Sequence, residues 1–177
     1  MNYIETPRLW LRLFTLDDLE DLFHIYNNSE VMKYVGKGAR TRKETQVGLI
    51  NMMQHWQHGF GMWAVVHKDS GKLIGRCGLC FLDRTPEIEL GYTLDQPYWD
   101  QGLATEASLA SLKYGFEDVG LNRIVAIARP ENIASQRVMQ KVGMKYEKDA
   151  YYYNSHVVYY ALSRVNYAAK KHINMEA

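Results

Sequence analysis

The sequence predicts a mixed α/β domain, and three of its features do so. Apolar residues alternate at period two in several short runs, the pattern of half-buried strands. Other apolar residues recur at helical spacing behind capping signals, the pattern of amphipathic helices. At the centre of the chain the two kinds of stretch alternate in the order strand, helix, strand, helix.

In chain order, Arg8 to Phe14 sets Leu9, Leu11 and Leu13 on one face of a strand. Thr15 reads as a helix N-cap, with Asp18 three residues on in a capping-box arrangement, and Leu16, Leu19, Leu22, Phe23 and Tyr26 form an apolar stripe. Thr41 with Glu44 repeats the signal before Val47, Ile50 and Met53, and Gly59 ends that helix. Met62 to His67 and Lys72 to Leu82 read as strands joined by the turn Asp69-Ser70-Gly71. Glu87 to Leu94 is the next strand, followed by a loop containing Pro97. Gly102 to Val119 reads as a helix, Arg123 to Ala128 as a strand, and Asn132 to Val142 as a helix with Gly143 as its C-cap. Two late strands, near Met144 to Lys148 and His156 to Leu162, precede a polar tail from about residue 165 that is expected to fray. No linker, repeat or low-complexity segment interrupts residues 1–177, which read as one domain.

Composition narrows the function classes. With 23% charged and 47% hydrophobic residues, the 177-residue chain has the balance of a globular protein with a real core. A formal net charge of +1 speaks against a broad electrostatic footprint for nucleic acid or an anionic membrane. No apolar run approaches the roughly 20 residues that span a bilayer. Met1 to Leu13 carries Glu5, Arg8 and Arg12 inside its apolar stretch, unlike a secretion signal, so a cytoplasmic location is the expectation.

Cys77 and Cys80 form a C-x-x-C pair. A zinc site would need a second pair of ligands, and no matching cluster follows, so no metal is expected. Residues three apart in a strand point to opposite faces, so these thiols should not meet and read as small core residues.

The informative stretch runs from Glu89-Leu90-Gly91-Tyr92 through Trp99-Asp100-Gln101-Gly102-Leu103-Ala104-Thr105-Glu106-Ala107. A strand ends, a short loop follows, and a helix opens on small residues. A helix N-terminus carries unpaired N–H groups and about half a positive charge, and Gly102 and Ala104 leave its amides open to a phosphate. Taken alone this is equally the pattern of a plain turn. No Gly-Lys-Ser/Thr appears, which disfavours a nucleotide-triphosphate loop.

Further motifs stand in a fixed order around that stretch. They are Glu5-Thr6-Pro7-Arg8-Leu9 with Leu11-Arg12, Ile74-Gly75, Gly120-Leu121-Asn122-Arg123-Ile124, Asn132-Ile133-Ala134-Ser135 and Lys141-Val142-Gly143-Met144. In this order and spacing the chain resembles the GNAT superfamily of N-acyltransferases, and within it the RimJ/RimL-type branch, over nearly its whole length. The resemblance implies a mostly antiparallel twisted sheet with helices on both faces and a V-shaped splay between the strands Glu89 to Leu94 and Arg123 to Ala128. It implies acetyl-CoA as co-substrate in that splay, with the pantetheine arm on backbone groups near Tyr92 and Leu94 and the pyrophosphate on amides from Gln101 through Gly102, Leu103 and Ala104 to Thr105. The family's loop pattern, Gln/Arg-x-x-Gly-x-Gly/Ala, maps to Trp99, Asp100, Gln101, Gly102, Leu103 and Ala104. A Trp at the first position is usual for the branch. Asp100 departs from the common Gly and should weaken CoA affinity by repulsion.

Amine acetylation needs loss of a proton from the amine and a proton or hydrogen bond for the departing thiolate. Glu89, which shares a strand face with Gly91 and Thr93, is the candidate base; the alternative is a solvated strand glutamate or an arginine's partner. A free glutamate titrates near pH ~4.3, so the role needs a raised pKa or an intervening water. Many relatives in the superfamily use a tyrosine as general acid where this chain has Met139. The resemblance places Ser135, one turn earlier, against the CoA sulfur, as donor or only as a small residue beside the cofactor. Asn132 would cap its helix and bond the pantetheine. Tyr151, Tyr152, Tyr153, Tyr159 and Tyr160 line the acceptor side or pack across a hairpin, and His156 is an alternative base.

The expected activity is therefore acetyl transfer to a primary amine. The first reading is a protein N-terminal α-amine of the ribosomal-protein type, whose pKa of about 7.7–8.0 leaves more neutral amine than a lysine near 10.4. The alternatives are a small amine (polyamine, aminoglycoside or amino-acid derivative) and a CoA-binding sensor without transfer. No nucleic-acid or membrane partner is expected. The oligomeric state stays open, a homodimer included.

Overall fold

Eight strands form one sheet in the computed structural model, which describes the backbone of residues 3–175 and the side chains of residues 3–169. They are β1 (Tyr3–Glu5), β2 (Leu9–Arg12), β3 (Met62–His67), β4 (Leu73–Phe81), β5 (Ile88–Leu94), β6 (Arg123–Ala128), β7 (Lys145–Tyr152) and β8 (Ser155–Ser163). Their order across the sheet is β1-β2-β3-β4-β5-β6-β8-β7, antiparallel throughout except between β5 and β6.

Alternation along β3 shows how the two faces are filled. Trp63 and Val65 enter one apolar cluster with Leu103, Ala107 and Leu112 of helix α4 (Leu103–Lys113) and Met139 of helix α5 (Ile133–Lys141). Met62, Ala64 and Val66 enter a second cluster with Leu22 and Ile25 of α1 (Leu19–Tyr26), Met32 of α2 (Ser29–Met32) and Leu49 of α3 (Arg42–His55). Each fully buried side chain of this size contributes about 1.5–3 kcal/mol, so the sheet is held from both sides. Ala107, Ser108 and Ser111 are completely buried, and these small residues let α4 lie close on the sheet.

The two cysteines are free and face opposite sides, as the strand spacing predicts. Cys77 lies under α4 with its sulfur 3.4 Å from Ser111 Oγ, and burial pushes its thiol up to about 11. Cys80 is pushed up to about 12 by burial and the Glu89 charge, so both stay protonated at neutral pH.

Both capping boxes form. The Thr15 amide donates to Asp18 Oδ2 at 2.8 Å, and the Thr41 amide donates to Glu44 Oε2 at 2.8 Å. Elsewhere the chain differs from the sequence reading. The helix from Gly102 stops at Lys113 and continues as one wide turn, Tyr114–Asp118, closed by the Val119 amide on the Tyr114 carbonyl. The late hairpin is longer than expected, and its two-residue turn is Tyr153-Asn154, with φ of 49° and 57°. Positive φ at both positions is the I′ geometry that twists with its strands, and Tyr-Asn lacks the glycine that announces it. Where a frayed tail is expected, helix α6 (Arg164–Met175) forms, tied by Tyr167 stacked on Phe116; residues 176–177 lie outside the described residues.

Candidate active site

β5 and β6 pair only at Glu89 and Val125, then diverge toward Leu94 and Ala128. Two cavities open at this splay. The first, about 320 Å³, is lined by Arg40, Arg76, Glu89, Gly91, Tyr152 and Tyr153 among others. The second, about 520 Å³, runs past Leu94 and Trp99 to Gly102, Leu103, Ala104 and Thr105 at the start of α4. Tyr92, Thr93, Asn132 and Ser135 line both, so the cavities meet there.

The second cavity ends on open amides. Gly102 is the N-cap of α4 with φ of 76° and provides no capping side chain, which leaves the first N–H groups for a ligand. A Cβ there would meet nothing nearer than an Arg8 guanidinium nitrogen at 3.6 Å, so backbone can be approached closely. Lys33, Arg137 and Lys141 outnumber the acids Glu30 and Asp100 in the lining. Amides at a helix N-terminus, cations and an apolar channel fit the pyrophosphate and pantetheine of CoA.

This loop is braced by the N-terminal arm. Glu106 Oε1 accepts from Thr6 Oγ1 at 2.6 Å and from the Arg8 amide at 2.8 Å, and Glu106 Oε2 pairs with Arg8 Nε at 2.7 Å. Arg8 Nη1 donates to the Gln101 carbonyl at 2.8 Å, and Gln101 Nε2 donates to the Pro97 carbonyl at 2.9 Å. Thr6-Pro7-Arg8 and Gly102 to Ala107 thus act together although some 98 residues separate Arg8 from Glu106. Asp100 is exposed with φ of 58°, a conformation glycine adopts without strain.

Glu89 opens on the first cavity. Burial raises its carboxyl to about 7, against the Tyr153 hydrogen bond and the Arg76 charge, which favour the ionised form. Tyr153 Oη donates to Glu89 Oε2 at 2.9 Å, and the same hydroxyl accepts from the Asp83 amide at 2.7 Å. The left-handed backbone of Tyr153 at the hairpin turn therefore aims a hydroxyl at the carboxylate.

At the junction, Tyr92 Oη donates to the Ser135 carbonyl at 2.9 Å and lies 2.9 Å from Ser135 Oγ. Burial raises the Tyr92 phenol well above its ordinary value, so it keeps its proton at neutral pH. Asn132 Oδ1 caps α5 by accepting from the Ser135 amide at 3.2 Å. Met139 is buried and lines the first cavity.

The structure thus brings Tyr92, Ser135 and Asn132 to the junction, sets Glu89 in the first cavity, and lines the adjoining channel with Leu94, Gly102, Leu103, Ala104 and Thr105. Gln101 stands apart from both linings, its carbonyl and side chain engaged by Arg8 and Pro97. His156 is exposed, packed edge-on to Tyr151, and lines neither cavity. The sequence reading missed the Tyr92 hydroxyl, the Tyr153–Glu89 bond, Arg40 and Arg76. Arg76 had a signal, a lone charge inside an otherwise apolar strand. Among the described residues, no three His, Cys, Asp or Glu side chains gather as a metal site, and no helix is long and apolar enough to cross a membrane.

The profile of the acetyltransferase (GNAT) domain matches residues 8–145. The uncharacterized N-acetyltransferase YnaD of Bacillus subtilis is 33% identical over 145 residues, covering 82% of this chain and 84% of its own length. The acetyltransferase (GNAT family) of Bacillus anthracis, a solved structure, is 30% identical with a TM-score of 0.81, covering 92% of this chain and 99% of its own. RimL, a ribosomal L7/L12 alpha-N-protein acetyltransferase solved in complex with coenzyme A, is 18% identical and shares the fold with a TM-score of 0.78 over 91% of this chain and 97% of its own. Matched through most of its sequence and through nearly all of its fold, this chain belongs to the GNAT family of acetyltransferases.

Proposed function

We propose that the chain moves the acetyl group of acetyl-CoA to a primary amine that enters through the first cavity, with Glu89 as the base. The observation that carries this reading is the meeting of two cavities at Tyr92 and Ser135, one opening on a carboxyl poised near 7 and the other on the free amides of α4.

Acetyl-CoA supplies an activated acetyl thioester. The amides of Gly102, Leu103, Ala104 and Thr105 hold its pyrophosphate, and backbone groups of Tyr92 and Leu94 with Asn132 hold its pantetheine arm. Glu89 accepts a proton from the amine at Oε1 or Oε2, directly or through water, a transfer suited to a base near neutrality. Tyr92 keeps its proton beside Ser135, and by turning its O–H from the Ser135 carbonyl to the departing thiolate it does the task a tyrosine at position 139 performs in many relatives.

The acceptor reading favoured here is an α-amine, first that of a protein N-terminus. A base near 7 matches an amine of pKa about 7.7–8.0 far better than one near 10.4. The fold shared with RimL agrees with this RimJ/RimL-type reading. The test is a panel of free-N-terminus peptides, amino acids, polyamines and aminoglycosides with acetyl-CoA, read by thiol release and product mass. Acetylated α-amines are expected. CoA binding with no acetylated product from any amine would instead make the chain a sensor.

A further inference from the structure

The first cavity carries more positive charge than an amine acceptor calls for. Its charged lining is Arg40, Arg76 and Arg129 against the single acid Glu89. Two of these guanidiniums share one aromatic platform, the Tyr26 ring. Arg40 stands 4.8 Å and Arg76 6.0 Å from its centroid. They are close enough that the Arg76 charge, after burial, lowers the Arg40 pKa. Neither side chain has a carboxylate or carbonyl partner among the described residues, and Arg76 Nε is buried without any acceptor.

Such a pair is costly. A guanidinium nitrogen buried without an acceptor, as Arg76 Nε is, forfeits a hydrogen bond, and two like charges on one ring repel. The strand register compounds the deficit. Arg76 is the cross-strand partner of Thr93, whose Oγ1 is also buried without a partner. Next on this face come Gly78 and Gly91, with the Met62 side chain over Gly91, and then Cys80 opposite Glu89. This face of the sheet therefore reads, along one direction, as unpaired groups on Arg76 and Thr93, then Gly91 under Met62, then the base Glu89.

We propose that the acetyl acceptor is itself an anion, an amine carrying a carboxylate, whose acid group is held by Arg76 and Arg40 while its amine faces Glu89. This rests on the transferase reading above and narrows its acceptor class. A carboxylate supplies the acceptors that the fold withholds, and its planar pair of oxygens matches the fork of a guanidinium. It also leaves Glu89 free to take the amine's proton, because the arginines have another anion to pair with. Cationic acceptors such as polyamines would bring further positive charge beside two unpaired guanidiniums.

The same chemistry can come from a free amino acid or from an acidic first residue of a peptide, so the test pairs each with its neutral isostere. L-Methionine against L-methioninamide probes an α-carboxylate, and Asp-Ala-Ala-amide against Asn-Ala-Ala-amide probes a side-chain one. Turnover is read as kcat/KM for thiol release. Binding is read by calorimetry on the full chain saturated with CoA. The acid member of at least one pair is expected to win by about 10- to 100-fold in kcat/KM and in affinity. That preference should collapse to within about threefold in Arg76→Gln, and in Arg40→Gln should Arg76→Gln fail to fold, with the loss in KM rather than in kcat. Turnover of both pairs without preference, better turnover of spermidine, or a preference kept in both variants would overturn the anion site. Arginine-dependent binding of the acid with no turnover of any amine would support the anion site and overturn the transferase reading instead.

Discussion

Glu89 concentrates the chemistry in one carboxyl. Glu89→Gln keeps its shape and removes its basicity, so kcat should fall by about 100-fold or more with the KM for acetyl-CoA little changed. Wild-type kcat/KM should rise with pH through about 7, where the residue ionises, and the variant should lose that limb. Identical pH profiles would assign Glu89 a structural role. The same shift bears on stability with a definite sign. The folded pKa lies above the ordinary 4.5, so the native chain holds this proton more tightly. The contribution is full below about 4.5 and is lost as pH rises through about 7, so wild type should lose denaturation midpoint relative to Glu89→Gln across that window. Tyr92 and Ser135 form the second residue-level device. If their hydroxyls serve one departing sulfur, Tyr92→Phe and Ser135→Ala should each cost about 10- to 100-fold in kcat, and the double variant little more than the worse single. Fully additive losses in a cycle of single-turnover rates would separate their roles. Glu89 and Ser135 were legible in motifs. The contact of Tyr92 with a residue 43 positions away was not, because a side chain's partner across a fold leaves no mark on local spacing.

The loop from Trp99 to Thr105 shows what a single element decides. Asp100 sits at φ of 58° beside the helix N-terminus, where its charge would oppose a pyrophosphate bound as proposed. Asp100→Gly relieves the left-handed strain but adds backbone entropy to the unfolded chain, and these offset to within about 1 kcal/mol. The readable gain is affinity. Calorimetry should show CoA binding about two- to fivefold tighter, with the gap shrinking as salt rises. Gly102→Glu should abolish binding by bulk and charge in a chain that still folds. Unchanged affinity in either variant would move the pyrophosphate elsewhere. Among elements, helices with a capping box and strands with clean alternation were legible. Those set by distant contacts were not. Strand β1 forms because Tyr3, Ile4 and Glu5 pair with Arg12, Leu11 and Trp10, and α6 because Tyr167 finds Phe116. The need for glycine at position 75 is likewise tertiary, since a Cβ there would lie 2.1 Å from the Thr93 carbonyl oxygen.

At the scale of the molecule, the single bridge between Glu89 and Val125 divides the sheet into two ladders, β1 to β5 and β6 with β8 and β7. Strand pairing welds each ladder internally, while the seam between them has that one backbone bridge, the side-chain bonds of Tyr153 to Glu89 and Asp83 and of Tyr159 to Glu87, the Leu82–Val125–Tyr159 cluster, and α4 and α5 packed across it. Opening the seam therefore breaks few backbone hydrogen bonds, and the two ladders should behave as separate cooperative units. In native-state hydrogen exchange, amides of β6 and β8 should open at a lower free energy than those of β3 and β4. On the proposed placement, a molecule of CoA in the splay would touch both ladders and act as a removable weld, so saturating it should bring the two exchange regimes together and sharpen thermal unfolding into one transition. Uniform exchange before and after CoA would show that the two helices already lock the seam. The gap that admits the substrate is, on this account, also where the chain's cooperativity is weakest, and occupancy of the site sets how far the protein unfolds as a whole.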